Sequence, residues 1–188
     1  HSFDARDKQV SQALASQAAN AVYNAHLYQQ SQALTEISRQ LSGTYELANV
    51  LDLILERVLG LVGTDIGWLY LLDRETNQLR IVVHRGLDEE GVHDTRALEE
   101  GVTGWVAKHG KAQLVPDVSK DRRYIAARRP DIRSEIVVPL KREDLVLGVL
   151  AAKSTHLDAF TEDDLTVLST FAAQAAVAIE RDKLTRHI

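Results

Sequence analysis

Cysteine is absent from this sequence, which excludes disulfides, thiolate catalysis, cysteine-ligated zinc and thioether attachment of a prosthetic group. A concentrated basic face is also missing: 22 Lys and Arg stand against 27 Asp and Glu, for a net charge of −5. The densest basic stretch, Lys120–Arg123 with Arg128, Arg129 and Arg133, is interrupted by acidic residues, so no nucleic-acid partner is expected. No apolar run reaches the length of a membrane span; Leu145–Ala152 is the strongest and is strand-sized, and no membrane contact is expected within these residues. There is no His-x-x-x-His or Glu-x-x-His metal spacing, and no Ser-His-Asp set stands out. "GVTGWV" lacks the Lys and the third Gly of the phosphate-cradling loops. No residue is singled out as catalytic and none as a metal ligand.

What is present fits a soluble globular protein: 45% apolar and 26% charged residues are the proportions of a folded chain rather than a disordered one. The 188 residues suffice for one domain of ordinary size plus additional helix. Neither Pro nor Gly occurs before Gly43, and the segment from about Asp4 to Ser42 reads as one helix, roughly 55–60 Å long at 1.5 Å per residue. Leu27, Leu34 and Leu41 recur every seven residues along it, and Val10, Leu14, Ala18 and Ala21 form a narrower stripe. That incomplete heptad pattern predicts a linker helix that pairs with a copy of itself in a homodimer. Part of this helix is also written twice. "LASQAANAVYNAHL" near the start returns as "FAAQAAVAIERDKL" near the end, with Ala15, Gln17, Ala18 and Ala19 falling on Ala172, Gln174, Ala175 and Ala176.

After Gly43, Thr44 can cap a second helix whose apolar face runs through Leu51, Leu55, Val58 and Val62, with Gly60 and Gly63 ending it. The period then changes. "IGWLYLLD" (Ile66–Asp73) and "LRIVVHRG" (Leu79–Gly86) are strands joined by the polar loop "RETNQ". A short strand is expected near Thr95–Leu98, a short helix over "GVTGWVAKHG", and a strand "AQLVPD" stopped by Pro116. A long polar loop follows from Asp117 to Arg133, with a helical turn near Tyr124. "SEIVVPLKRED" and "LVLGVLAAKST" form a second hairpin, its first strand bulged or near an edge at Pro139. The last helix starts at Thr161, with Asp164 completing a capping-box-like pair. Strand pairs with short loops imply an antiparallel sheet with the end helices on one face, an α+β arrangement.

Several of these segments resemble a GAF domain. "GVTGWVAKHGKAQLVPDVSKDRRY" is similar to the centre of that family, "SEIVVPLKREDLVLGVLAAKS" to its following hairpin and "AFTEDDLTVLSTFAAQAAVAIERDKL" to its closing helix; the resemblance covers about Leu34 to Ile188. It implies an α+β, PAS-like fold with a lidded ligand pocket on the sheet face away from the end helices. It also accounts for the repeated helix. Residues 1–42 become a long linker helix that includes the closing helix of a preceding GAF-like unit (Phe3–Tyr28), and 43–188 become the GAF domain itself. The chain, which does not begin with Met, is then expected to be the second unit of a tandem array cut from a longer protein.

Mapped by motif, the resemblance puts Trp105, Val106 and His109 on the lid helix, Asp117, Arg122, Tyr124 and Ile125 on the long loop, and Ser134 at the entry to the next strand. By strand alternation either Trp68 and Tyr70 or Leu69 and Leu71 point into the pocket; the aromatic pair is the candidate. The cyclic-nucleotide-binding members carry an Asn-Lys…Phe-x-x-x-Asp-Glu signature, of which Lys153, Phe160 and Asp164 remain while Ala152 and Leu165 replace the Asn and the Glu. The cofactor is therefore unknown. A covalent bilin and the family's sulfoxide reductase chemistry both require cysteine. Haem would need an axial ligand, for which His84, His93 and His109 are candidates only by position, and a lone His in a strand or loop is more often a surface residue. Two readings follow. In the first, the module is a non-catalytic, cytoplasmic sensor of a bacterial signalling protein, binding an unknown small molecule and relaying through dimeric helices to a histidine kinase, cyclase or phosphatase domain elsewhere. In the second, it is a dimerisation or spacer module with a vestigial pocket.

Overall fold

The computed structural model describes residues 47–87, 95–125 and 129–186. The expected long helix over 4–42, its repeat, the Thr44 cap and His93 lie outside the described residues. Helix α1 is described over 47–61; then follow β1 (Ile66–Asp73), β2 (Gln78–Arg85), β3 (Thr95–Ala97), α2 (Gly101–His109), β4 (Gln113–Val115), β5 (Ser134–Arg142), β6 (Leu145–Ser154) and α3 (Glu162–Arg186). The strands form one antiparallel sheet in the order β3-β2-β1-β6-β5-β4.

Alternation along the strands divides the interior in two. Leu69, Ile136, Val138, Leu150 and Ala152 face one side, where Leu51, Leu55 and Val58 of α1 and Leu168, Ala172, Ala175 and Ile179 of α3 complete a core. Both end helices therefore share one face of the sheet. The small alanines of α3 let it lie close, and each fully buried Leu or Ile contributes about 1.5–3 kcal/mol. Trp68, Tyr70, Leu79, Ile81, Val137, Val149 and Ala151 face the other side, under α2 and its flanking loops. β2 changes face midway: Leu69 pairs with Val83 but Tyr70 with Ile81, so Val82 is an extra, bulged residue.

The local signals act as their chemistry requires. Gly110 ends α2 in the left-handed region at φ 61°, where a Cβ is costly. Thr161 and Asp164 form the capping box: Asp164 Oδ2 accepts from Thr161 N–H (2.8 Å) and Thr161 Oγ1 accepts from Asp164 N–H (3.3 Å). Pro139 sits beyond Val137, the last β5 residue covered by β4, and just before a bulge at Leu140/Lys141. The helical turn expected near Tyr124 is displaced. A 3-10 turn occupies Val118–Lys120, because Asp117 caps it by accepting from Ser119 N–H (3.1 Å) and Oγ–H (2.6 Å). Tyr124 instead closes a simple turn, its N–H donating to Asp121 O (3.0 Å).

Candidate functional site

The face under α2 carries charge where a core would ordinarily be apolar. Arg96, Glu135 and Lys153 are only 8%, 1% and 6% exposed. Each is placed by strand register. Glu135 and Lys153 are direct cross-strand partners on β5 and β6, and their side chains form a buried ion pair. Lys153 Nζ also stands 4.8 Å over the Trp68 ring and 5.7 Å from the Tyr124 ring, so two aromatic faces add cation–π stabilisation to the ammonium. Arg96, opposite Leu79 on β3, donates from Nε to Tyr70 Oη at 3.3 Å. Ions removed from water this far must be paired and hydrogen-bonded or the fold bears a cost of several kcal/mol.

At the centre of these groups lies a cavity of about 10 Å³, lined by Trp68, Arg96, Thr103, Tyr124, Glu135 and Lys153 and closed by Gly101, Val102 and Ile125. That is about the volume that holds one water. Trp68 is 6% exposed, and its Nε1 is buried without a hydrogen-bond partner among the described residues. A second such atom, His84 Nδ1, belongs to the residue paired with Trp68 across β1 and β2. Burial, and next the nearby Glu135 carboxylate, push the Tyr124 phenol up to about 12.

The expected site residues fall into separate places. Trp68 and Tyr124 line the cavity and Tyr70 reaches its wall through Arg96. The open choice between the two sets on β1 is thereby resolved: Trp68 and Tyr70 face the lid, Leu69 the helices. Trp105 and His109 lie outside the cavity, on one side of α2: Trp105 is half-buried against the lid-side core and His109 is exposed. Their rings stack at 4.4 Å, and the Arg123 guanidinium covers Trp105 at 4.7 Å. Arg123 is held in turn by both oxygens of Asp121 (3.0 and 2.6 Å) and by Gln113 (2.9 Å); those bonds keep the Asp121 carboxyl below its usual range. Asp117 and Arg122 line a different feature, an open surface groove of about 510 Å³ beside Pro116 and Leu157. Ser134 is buried and donates to His156 O at 2.8 Å, tying the start of β5 to the loop after β6.

Arg96, Thr103 and Glu135 were not apparent as site residues in the sequence. Arg96 sits in a polar stretch with no periodicity, and a Glu opposite a Lys is an ordinary surface pair until a lid covers it. Lys153 stood out only as a remnant of the cyclic-nucleotide signature. The other two remnants have structural roles: Phe160 is buried in the helix-side core and Asp164 completes the capping box. Among the described residues no cluster of His, Asp and Glu could hold a metal ion, and His84 and His109 lie apart, one facing Trp68 and one exposed. No helix of the described residues is long and apolar enough to cross a membrane.

Comparison with known proteins agrees with this geometry. A family profile described as GAF domain matches residues 44–180. A dual 3',5'-cyclic-AMP and -GMP phosphodiesterase 11A of Takifugu rubripes is 27% identical over 165 residues, 79% of this chain and 18% of that protein. A Nif-specific regulatory protein of Azotobacter vinelandii is 32% identical over 190 residues, 85% of this chain and 35% of that protein. The chain thus spans about a third or less of these two curated relatives. Among solved structures, the GAF domain of an Acinetobacter phosphoenolpyruvate-protein phosphotransferase superposes with a TM-score of 0.68 at 24% identity, covering 79% of this chain and 98% of that one; it shares the curled antiparallel sheet and its flanking helices.

Proposed function

The chain belongs to the GAF domain family, and on that premise we propose that it is a non-catalytic sensory module of a multidomain signalling protein, with a small molecule received beneath α2. The observation that carries this reading is the charged cavity lined by Trp68, whose buried Nε1 has no partner among the described residues. A module that needed only to fold would be more stable with apolar side chains there, since replacing buried ion pairs by apolar residues is often neutral or favourable. The relatives named as a Nif-specific regulator and as a phosphodiesterase are consistent with a regulatory role inside a larger protein.

The signal would leave through the sheet. Lys153 touches the cavity while its neighbour Ala152 lies in the core shared with α1 and α3. Two ion pairs tie the same helices to the sheet: Arg85 to Asp52 of α1 (2.5 and 2.8 Å) and Arg142 to Glu180 of α3 (2.7 Å). A ligand that shifts β6 therefore acts on both helices, and the coupling equals its differential affinity for the two arrangements, typically about 1–3 kcal/mol. Relay to a kinase, cyclase or phosphatase domain through a helical homodimer is part of this proposal, as is a cytoplasmic setting.

The second reading, a spacer with a vestigial pocket, is favoured by one observation: about 10 Å³ is far below the roughly 300–1,000 Å³ of ligand pockets. A cyclic nucleotide would need most of that range, so a much smaller ligand is proposed. Thermal unfolding of the full chain against a panel of small metabolites, nucleotides and tetrapyrroles separates the readings. The sensor predicts a saturable rise in Tm with a small member of the panel; the spacer predicts none.

A further inference from the structure

The groove beside Pro116 is separate from the cavity beneath α2 and belongs to another feature of the fold, the end of the sheet. β4 is the last strand in the order, and among the described residues no strand pairs with its outer side. Leu114 packs against the helix-side core, whereas Val115 belongs to the core under α2. Both line the groove, so it runs along the edge of β4 rather than over either face. Its volume of about 510 Å³ falls within the roughly 300–1,000 Å³ of ligand sites, but it is open where small-molecule sites enclose. We propose that this edge is a docking site for another polypeptide: an extended segment that adds to β4 as a further strand and carries one acidic and one basic side chain on either side of an apolar one. The proposal is independent of what the cavity receives.

Side chains set that pattern. Leu157, on the loop after β6, is 58% exposed, and with the exposed Pro116 it gives the groove an apolar wall. Six charged residues, three of each sign, also line the groove. Four are committed within their own loop: Asp117 holds Lys120 (3.2 Å) and Asp121 holds Arg123 (2.6 Å). The other two, Arg122 and Asp158, are exposed, and neither side chain makes an ion pair or hydrogen bond with a described residue. They stand on different loops, Asp158 being fixed beside the end of β4 by donation from its N–H to Pro116 O (2.8 Å). One available charge of each sign is complemented by a segment carrying one of each. An uncovered strand edge is a template for pairing with another chain. In such strand addition the main chain supplies affinity and the side chains supply selectivity.

The test uses the full chain and a peptide with blocked ends and a neutral fluorophore, Lys-Thr-Val-Thr-Glu, whose Lys, Val and Glu share one face when extended. Its reverse, Glu-Thr-Val-Thr-Lys, covers the opposite strand direction, and Gln-Thr-Val-Thr-Gln is the uncharged control. Fluorescence anisotropy is expected to show saturable binding of one charged peptide and at least about tenfold weaker binding of the control. Arg122→Glu should abolish binding of the charged peptide and permit binding of Lys-Thr-Val-Thr-Lys, a reversal that a merely structural effect would not reproduce. Leu157→Asp should weaken binding. Both residues are exposed, so neither variant should change Tm. N-methylation of the peptide at Val, or at both threonines, removes N–H groups from one edge or the other, and at least one of the two forms should lose binding. Binding that both N-methylated forms retain overturns strand addition. Equal binding of the control, or unchanged binding to Arg122→Glu, overturns the charge pattern. Failure of both charged peptides to bind overturns the proposal, and a dimer of the chain that Leu157→Asp abolishes in light scattering gives the groove to a second copy instead.

Discussion

Glu135 and Lys153 show how one pair of side chains can be unremarkable in sequence and decisive in space. Each lies in a strand whose neighbours are apolar, and each alone would be taken for an exposed residue. Register puts them opposite one another and α2 covers them. Removing one partner strands the other charge, so Lys153→Met or Glu135→Gln should cost about 3–5 kcal/mol, whereas the combined Glu135→Leu, Lys153→Met variant should recover most of that loss. Urea unfolding of the three variants measures it; additive losses in the double variant would show the pair to be independent. Tyr124 gives a second reading of the same environment. Its folded pKa of about 12 lies above the ordinary 10.0 because burial disfavours the phenolate, so Tyr124 leaves stability unchanged below pH 10 and lowers it as pH rises toward 12. Ultraviolet titration should show one late phenol that Tyr124→Phe removes. Alternation made the aromatic pair on β1 legible from sequence as one of two options. The ionic trio was not, because burial by a lid is a tertiary fact with no local signature.

At the level of elements, the sequence marks boundaries wherever a backbone constraint is written in one or two residues. Gly110, Pro116, Pro139 and the Thr161–Asp164 box all lie where an element ends, bends or begins. The turn expected near Tyr124 fell elsewhere because Asp117 and Asp121 compete to organise the same loop, and each caps its own turn. Glycines test how tightly the lid is seated. A Cβ on Gly104 would lie 2.7 Å from Ala97 O and 2.9 Å from Glu99 N, both backbone atoms. Gly104→Ala must push α2 off the turn that precedes it, at a cost of about 1–3 kcal/mol, with faster hydrogen exchange in α2. Gly60 is the control: it lies in α1, and among the described residues beyond its own helical turns no atom comes within 4 Å of where a Cβ would be. Gly60→Ala should instead stabilise by about 0.5–1 kcal/mol through helix propensity. Opposite signs for the two substitutions would show that close packing of the lid, rather than glycine flexibility, is what the Gly-x-x-Gly-Trp-Val stretch preserves.

For the molecule as a whole, the end helices have two faces, and only the inner one is accounted for by the core. On α3, Thr170, Val177 and Leu184 recur every seven residues on the side away from Leu168, Ala172 and Ala175, with Ala173 between them. Val177 and Leu184 are 51% and 66% exposed. On α1, Val50, Leu53 and Leu61 are likewise exposed. A heptad-spaced apolar stripe with small residues between its larger ones is suited to a second copy of the same helix. If the relay runs through such a pair, the stripe carries the dimer while the opposite face carries the cavity's state, and the two can be separated by mutation. Val177→Glu combined with Leu184→Glu should convert a dimer into a monomer by light scattering. Tm should stay close to the parent's, since neither residue enters the core. A parent chain that is monomeric at every concentration removes the helical relay. A variant that loses both the dimer and the ligand-induced rise in Tm would show instead that the cavity is completed only in the assembled state.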